Sequence, residues 1–303
     1  MKLFPVFEWI KGKRSMRYSL LFFIAALVPF NPSVSAQGRF ETLAINLLRG
    51  DTETKRDALF QIRNLRSAKA SLLAVPALSD SEEIVRATAV SSVVFLEKQE
   101  SARLLIPLLA DKAPFVRREC AFALGSVGSA AATTPLIATM QHDKDPEVRS
   151  AAAVALGKLG DANAVDALLR VLQKKPNEET EFIRRAAARS IGQIAQIIHR
   201  HRIEVVTPQN FLPREYKLLE VPKFEELSLR YPQFREAGRA LSSLLKDKRE
   251  SDDTRREAAF SLGAIGGGSE IESLKTNLNS TDPFLAEICE EAMEKVAAAY
   301  DPR

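Results

Sequence analysis

Cysteine is nearly missing from this 303-residue chain, which carries only Cys120 and Cys289. Two cysteines cannot staple a small disulfide scaffold, and the absence of any before position 120 excludes a lipid-modified cysteine near the N-terminus. Histidine is as scarce. His142, His199 and His201 have no carboxylate pair or cysteine set spaced to share a metal ion with them. Glycine never gathers into a phosphate-binding loop, since Gly266-Gly267-Gly268 before Ser269 and Glu270 reads as a turn between helices. No Ser/His/Asp or Cys/His arrangement can be assembled. The chain is therefore expected to use no metal and no cofactor.

An excess of one charge is also lacking once the N-terminus is set aside. The chain has 43 basic and 39 acidic side chains, of which residues 1–36 hold five and one, leaving 38 of each. The sequence pI near 9.0 thus comes from the N-terminal segment. This argues against a nucleic-acid-binding face. That segment has a basic stretch (Lys11, Lys13, Arg14, Arg17), an apolar run over 19–30, and the small residues Val34-Ser35-Ala36. The pattern predicts a secretory signal peptide over 1–36, cut between Ala36 and Gln37, with Met16 as an alternative start. The apolar run is short for a membrane span, although an uncleaved anchor is the competing reading. The expected location is periplasmic or secreted, with no stable membrane insertion after cleavage.

What the sequence does have is one pattern written seven times. In the clearest copy Asp145 precedes Pro146, and Val148, Arg149, Ala152, Leu156 and Leu159 follow at helical spacing. Gly160-Asp161 closes that helix, and Val165, Leu168, Leu169 and Leu172 make a second one. The spacing returns from Thr54, Val85, Val116, Ile183, Thr254 and Leu285. Two short helices cannot bury an apolar face alone, so such units must stack. The basic position occupies 55, 86, 117, 149, 184 and 255, and falls on Ala286 in the last copy. The fold class is accordingly all-α, a right-handed α-α superhelix of about seven helical hairpins over residues 37–303. Residues 40–50 are expected to cap its N-terminal end.

The run from Asp145 to Val165 resembles the HEAT-like repeat of the phycobilin lyase subunits, a short branch of the HEAT/armadillo class. Asp145, Pro146, Val148, Arg149, Leu156, Gly157, Leu159, Gly160, Asp161, Ala164 and Val165 carry the likeness. The first copy (Thr54-Lys55) and the last (Ala286) depart from it. The resemblance implies an architecture for interaction more than a chemistry. The ladder Lys55, Arg86, Arg117, Arg149, Arg184 and Arg255 could be read as an anionic-ligand stripe, but one basic position per repeat is what stacking demands. The resemblance implies a structural ladder, each cation pairing with Asp or carbonyl groups of the adjacent repeat. Iron-dependent hydroxylases on similar repeats use His-Glu pairs, and none occurs here.

One interval breaks the rhythm. From Arg184 to Arg255 there are about forty residues more than a repeat needs. The first helix of the fifth repeat is expected near 181–199 and its partner near 232–247, which leaves an insertion at about 201–231. This segment holds Phe211, Tyr216, Phe224 and Tyr231 among three prolines. Long connections in compact folds tend to be functional, and aromatics held on a rigid scaffold are typical interface anchors. A local plug on the solenoid edge is the plainer alternative. Cys120 and Cys289 fall on small core positions four repeats apart, too distant for a disulfide. The expected function is an exported, non-enzymatic scaffold that binds a protein through the groove of the second helices and the insertion. The alternative is a subunit of a lyase-type enzyme like the bilin lyases.

Overall fold

A computed structural model describes residues 32–200 and 227–300. The chain divides into two units, Met1–Thr42 and Leu43–Arg303. Of the first, residues 32–42 are described and are helical, the opening part of α1 (Pro32–Arg49). In the second, the rest of α1 buries Leu43 and leaves Ile45 and Leu48 exposed. Helices then alternate: α2 (Thr52–Asn64) and α3 (Ala68–Ala74), α4 (Glu83–Ser92) and α5 (Lys98–Leu105), α6 (Pro114–Val127) and α7 (Thr133–His142), α8 (Pro146–Leu159) and α9 (Val165–Leu172). The fifth repeat comprises α10 (Glu181–Arg200), then a one-turn helix α11 (Leu227–Arg230), then α12 (Gln233–Lys246). α13 (Asp252–Ile265), α14 (Ile271–Lys275) and α15 (Pro283–Tyr300) complete the order, with no strand among the described residues. None of the described helices is long and apolar enough to cross a membrane.

Local chemistry sets these boundaries. Asp51 accepts from Thr54 N (2.9 Å) to cap α2, and Asp145 accepts from Glu147 N and Val148 N (2.8 and 3.1 Å) to cap α8. Pro114 and Pro146 occupy first-turn positions where no backbone N–H is needed. α8 ends on Gly160 with φ +71°, a left-handed conformation that glycine adopts without a Cβ penalty. α4 is shorter than its spacing implied. It stops at Ser92, whose hydroxyl is held by the carbonyls of Thr88 and Leu59 (2.9 and 3.0 Å), and two β-branched valines follow. Val93 and Leu96 are still buried, from the turn. Prolines 76 and 107 also break the second helices of the first two repeats into α-helix followed by 3₁₀ turns, Val75–Ser79 and Ile106–Ala110.

The first helices pack side by side as one layer, α2 on α4, α4 on α6, α6 on α8, α8 on α10, α10 on α13 and α13 on α15. The second helices lie against them, and α12 touches α9, α13 and α14. The layer is therefore unbroken across the insertion. A row of small residues permits the close approach: Gly125, Gly157, Gly192 and Gly263 each stand eight residues after the ladder position. A Cβ on Gly192 would lie 2.3 Å from Ser261 Oγ and 2.8 Å from its Cα, so α13 could not seat on α10 with any larger residue. The core is mainly aliphatic, with Leu59, Ile62, Leu124, Leu156, Leu168, Ile191 and Ile194 fully covered, together with the ring of Phe234. Covering an aliphatic side chain of this kind stabilises by about 1.5–3 kcal/mol.

Candidate interaction surface

The described surface with the most organised chemistry is the edge where each second helix turns into the next first helix. Lys55 Nζ lies 2.7 Å from Asp80 Oδ2. Arg86 donates to both oxygens of Asp111 (2.8 Å each) and, through Nη1, to the carbonyls of Asp80 and Ser81 (2.9 and 3.0 Å). Arg117 repeats this with Asp143 (2.7 Å each) and the Asp111 carbonyl (3.0 Å). Each arginine thus clamps the acid of the next repeat and the carbonyl of the turn before its own helix. Arg184 makes a buried pair with Glu250 and bonds the carbonyls of Val171, Leu172 and Lys174. Arg255 differs: it bonds Asn277 Oδ1 (2.9 Å), Asp252 (3.0 Å) and the Leu245 carbonyl (3.1 Å), while Arg256 takes the acid, Asp282 (2.8 Å).

Electrostatics follow the geometry. The Arg86 hydrogen bonds hold Asp111 below the ordinary carboxylate range, and those of Arg256 do the same for Asp282. Burial pushes Asp80 and Asp143 upward, but the bonds from Lys55 and Arg117, with a backbone N–H on each, outweigh it and both are lowered. Arg149 differs from its neighbours in the ladder. Its Nε is buried without a hydrogen-bond partner and it forms no ion pair among the described residues, although its charge helps to lower Asp143. Twenty-five residues after Lys55 and Arg86 stand Asp80 and Asp111, and at the same distance after Arg149 stands Lys174.

Aromatic rings line the same edge, a feature the ladder residues alone did not suggest. The Arg118 guanidinium carbon lies 5.2 Å from the centre of the Phe115 ring, Arg185 5.8 Å from Phe182, and Arg256 5.3 Å from Phe284. Phe182 and Phe284 are 65% and 62% exposed. Each sits in the first turn of its helix. The usable signal was an aromatic three residues before an arginine at that place in two repeats.

Of the insertion aromatics, Tyr231 is the one the structure describes; Phe211, Tyr216 and Phe224 lie outside the described residues. The chain returns on α11 with Leu227 and Ser228 buried. Tyr231 is half-buried and meets Phe234 edge-on at 6.3 Å, and Gln233 donates to the Ala162 carbonyl at 3.2 Å. A small cavity beside it is bounded by Gly160, Asp161, Ile198 and Arg230. The second-helix face next to it carries a cleft between α12 and α14, bordered by Arg235, Arg239, Lys246 and Glu270. Cys120 and Cys289 are both free and fully buried, on α6 and α15. Among the described residues no group of His, Cys, Asp and Glu converges as metal ligands would.

A family model described as HEAT repeats matches residues 102–192. No curated protein sequence matches the chain. Among solved structures, an engineered protein superposes with a TM-score of 0.51 at 18% identity, over 87% of this chain and 69% of that one. The complex of CpcE and CpcF of phycocyanin lyase from Nostoc sp. PCC7120 gives 0.45 at 19% identity, over 85% and 94%. Human deoxyhypusine hydroxylase gives 0.39 at 16%, over 88% and 98%. At such identities the likeness concerns fold alone.

Proposed function

We propose, from the premise that the chain is a HEAT-like repeat protein, that it is an exported scaffold which binds a protein partner without catalysing a reaction. The observation that carries this reading is the anchored return of the insertion. The chain leaves the first-helix layer at Arg200, and Leu227 and Phe234 fix its way back beside the face of α9, α12 and α14. A stacked repeat does not need the intervening residues, because α10 and α13 already pack directly. The described return, Leu227 to Phe234, borders a polar cleft on a rigid support, and Phe211, Tyr216 and Phe224 precede it in the sequence. That combination suits recognition of another protein surface. Export rests on the N-terminal pattern of residues 1–36.

The test has two arms. Replacing residues 203–226 by a short Gly/Ser linker is expected to keep the helical signal, since loop length enters only as about (3/2)RT ln n. Leu227 and Ser228 stay in place because they are buried. In-cell crosslinking with mass spectrometry should capture a specific protein with the parent chain and lose it with the variant. Unchanged capture would place binding on the groove alone, and loss of folding would make the segment a structural plug. N-terminal mass spectrometry of protein recovered from cells should find Gln37 first. A species still carrying Trp9 would overturn the export reading.

A further inference from the structure

The ladder repeats one geometry at Arg86 and Arg117, alters it at Arg184 and Arg255, and leaves Arg149 without an ion pair. The turn carbonyl that Arg86 Nη1 holds belongs to Asp80, and the one that Arg117 Nη1 holds belongs to Asp111. Arg184 Nη1 holds three carbonyls ahead of its own helix, those of Val171, Leu172 and Lys174. Lys174 stands twenty-five residues after Arg149, the distance the acid keeps in the Lys55 and Arg86 rungs, and its carbonyl is among those that Arg184 holds. Lys175 follows it, and both lysines are exposed. The turn is three to four residues longer than in the earlier repeats, and the next acid, Glu178, comes only beyond it, in the segment that Asn177 and Thr180 cap. Nearer acids are engaged: Asp143 by Arg117, Asp145 by the start of α8, and Glu147 by Arg118.

A half-buried guanidinium with its Nε out of water and no acceptor is a cost that the other rungs do not carry. A carboxylate from outside would offset the unpaired charge through the Nη groups, which are not among the buried atoms. The flanks suit a peptide. Helices α6 and α10 pack on either side of α8 and present the Phe115–Arg118 and Phe182–Arg185 pairs from their first turns. We propose that Arg149, with Lys174 and Lys175, is a docking point for an acidic segment of a protein partner, one Asp or Glu side chain completing the rung the chain leaves open. This rests on the scaffold reading and gives the partner a chemistry.

The test uses the full chain and a fluorescein-labelled Glu-rich peptide, followed by anisotropy at low salt. Wild type should bind. Arg149→Gln removes the cation, and Lys174→Asp supplies the missing acid internally. Each should weaken binding by about tenfold or more, as loss of a charge-assisted bidentate contact does. Lys174→Asp should also melt no lower than wild type, which shows that it folds. Lys158→Asp makes the same charge change on the exposed end of α8 and should weaken binding less than about twofold. Equal losses in all three variants, an unaffected Arg149→Gln, or no binding by wild type would each overturn the proposal. An oligothymidylate of the same charge binding more tightly than the peptide would also overturn it, in favour of phosphate. Because the probe is a synthetic peptide, a null result here leaves the crosslinking test of the scaffold reading standing on its own.

Discussion

Asp111→Ala is the substitution whose cost the structure fixes most closely. The Asp111 carboxylate and the Arg86 guanidinium are 8% and 6% exposed and joined by two hydrogen bonds of 2.8 Å. Removing the acid strands a buried cation, which typically costs about 3–5 kcal/mol. Arg86 keeps its bonds to the Asp80 and Ser81 carbonyls, which pulls the figure to the low end. Asp111 also accepts from Ala113 N at 2.8 Å, and losing that turn contact adds about 0.5–1 kcal/mol. The expected loss is about 3–4 kcal/mol, read from urea melts at 222 nm with the slope checked for a change in cooperativity. Replacing both partners together, Arg86→Met with Asp111→Leu, should cost well under the single change, since no charge is left unpaired. The pH dependence has a definite sign. Arg86 lowers Asp111 from its usual value of 3.8, so the stabilisation is complete above pH 4 and fades as pH falls through the lower folded value. Asp80, Asp143 and Asp282 shift in the same direction. The parent should therefore lose stability more steeply in acid than Asp111→Ala. A single substitution costing under about 1 kcal/mol, or a double costing as much as the single, would refute this account of the ladder.

Two further outcomes follow from burial. Leu156→Ala, at a fully covered position in α8, should cost about 2–5 kcal/mol, whereas Arg170→Ala on the exposed side of α9 should stay within about 0.5 kcal/mol; comparable urea midpoints for the two would mean the faces are misassigned. Cys120 and Cys289 should alkylate slowly in buffer and fully in denaturant without reductant, because burial raises both thiols, that of Cys289 to about 12. A disulfide-linked peptide joining them in a digest would contradict the stacking order.

The stacking was legible because each first helix repeats an apolar spacing that only a helix satisfies. Even the distant pair around the insertion came out close: α10 runs over Glu181–Arg200 and α12 over Gln233–Lys246, against expectations of 181–199 and 232–247. The shortened α4 did not, since helical spacing persists in residues that reach the core from a turn, as Val93 and Leu96 do. The ladder cations were visible, but their partners were not. Asp111 and Asp143 lie 25 and 26 residues beyond Arg86 and Arg117, and periodicity does not say which acid a side chain will reach. The open rung was hidden for the same reason. Counting back from Arg184 puts Glu178 at the acid's place, whereas counting forward from Arg149 by the spacing of the first rungs reaches Lys174. The glycine row eight residues past the ladder was in plain view, yet its purpose, letting α10 and α13 touch, needs three dimensions.

The pair between Arg184 and Glu250 sets an order in time. Lys55, Arg86 and Arg117 close rings of 25 or 26 residues, but this rung must close one of 66. By loop entropy the longer ring costs only about 0.9 kcal/mol more, too little to weaken the finished protein. For a chain still folding, the difference falls on the search rather than on the product. The earlier repeats can nucleate locally and grow by neighbour contact, and their short sequence separations favour speed. The last two repeats must be found across the gap, so pulse-labelled hydrogen exchange should protect α6 and α8 before α13 and α15. Simultaneous protection would mean the gap is no obstacle. The seam that stacking conceals in the native state is then where the chain spends its longest wait.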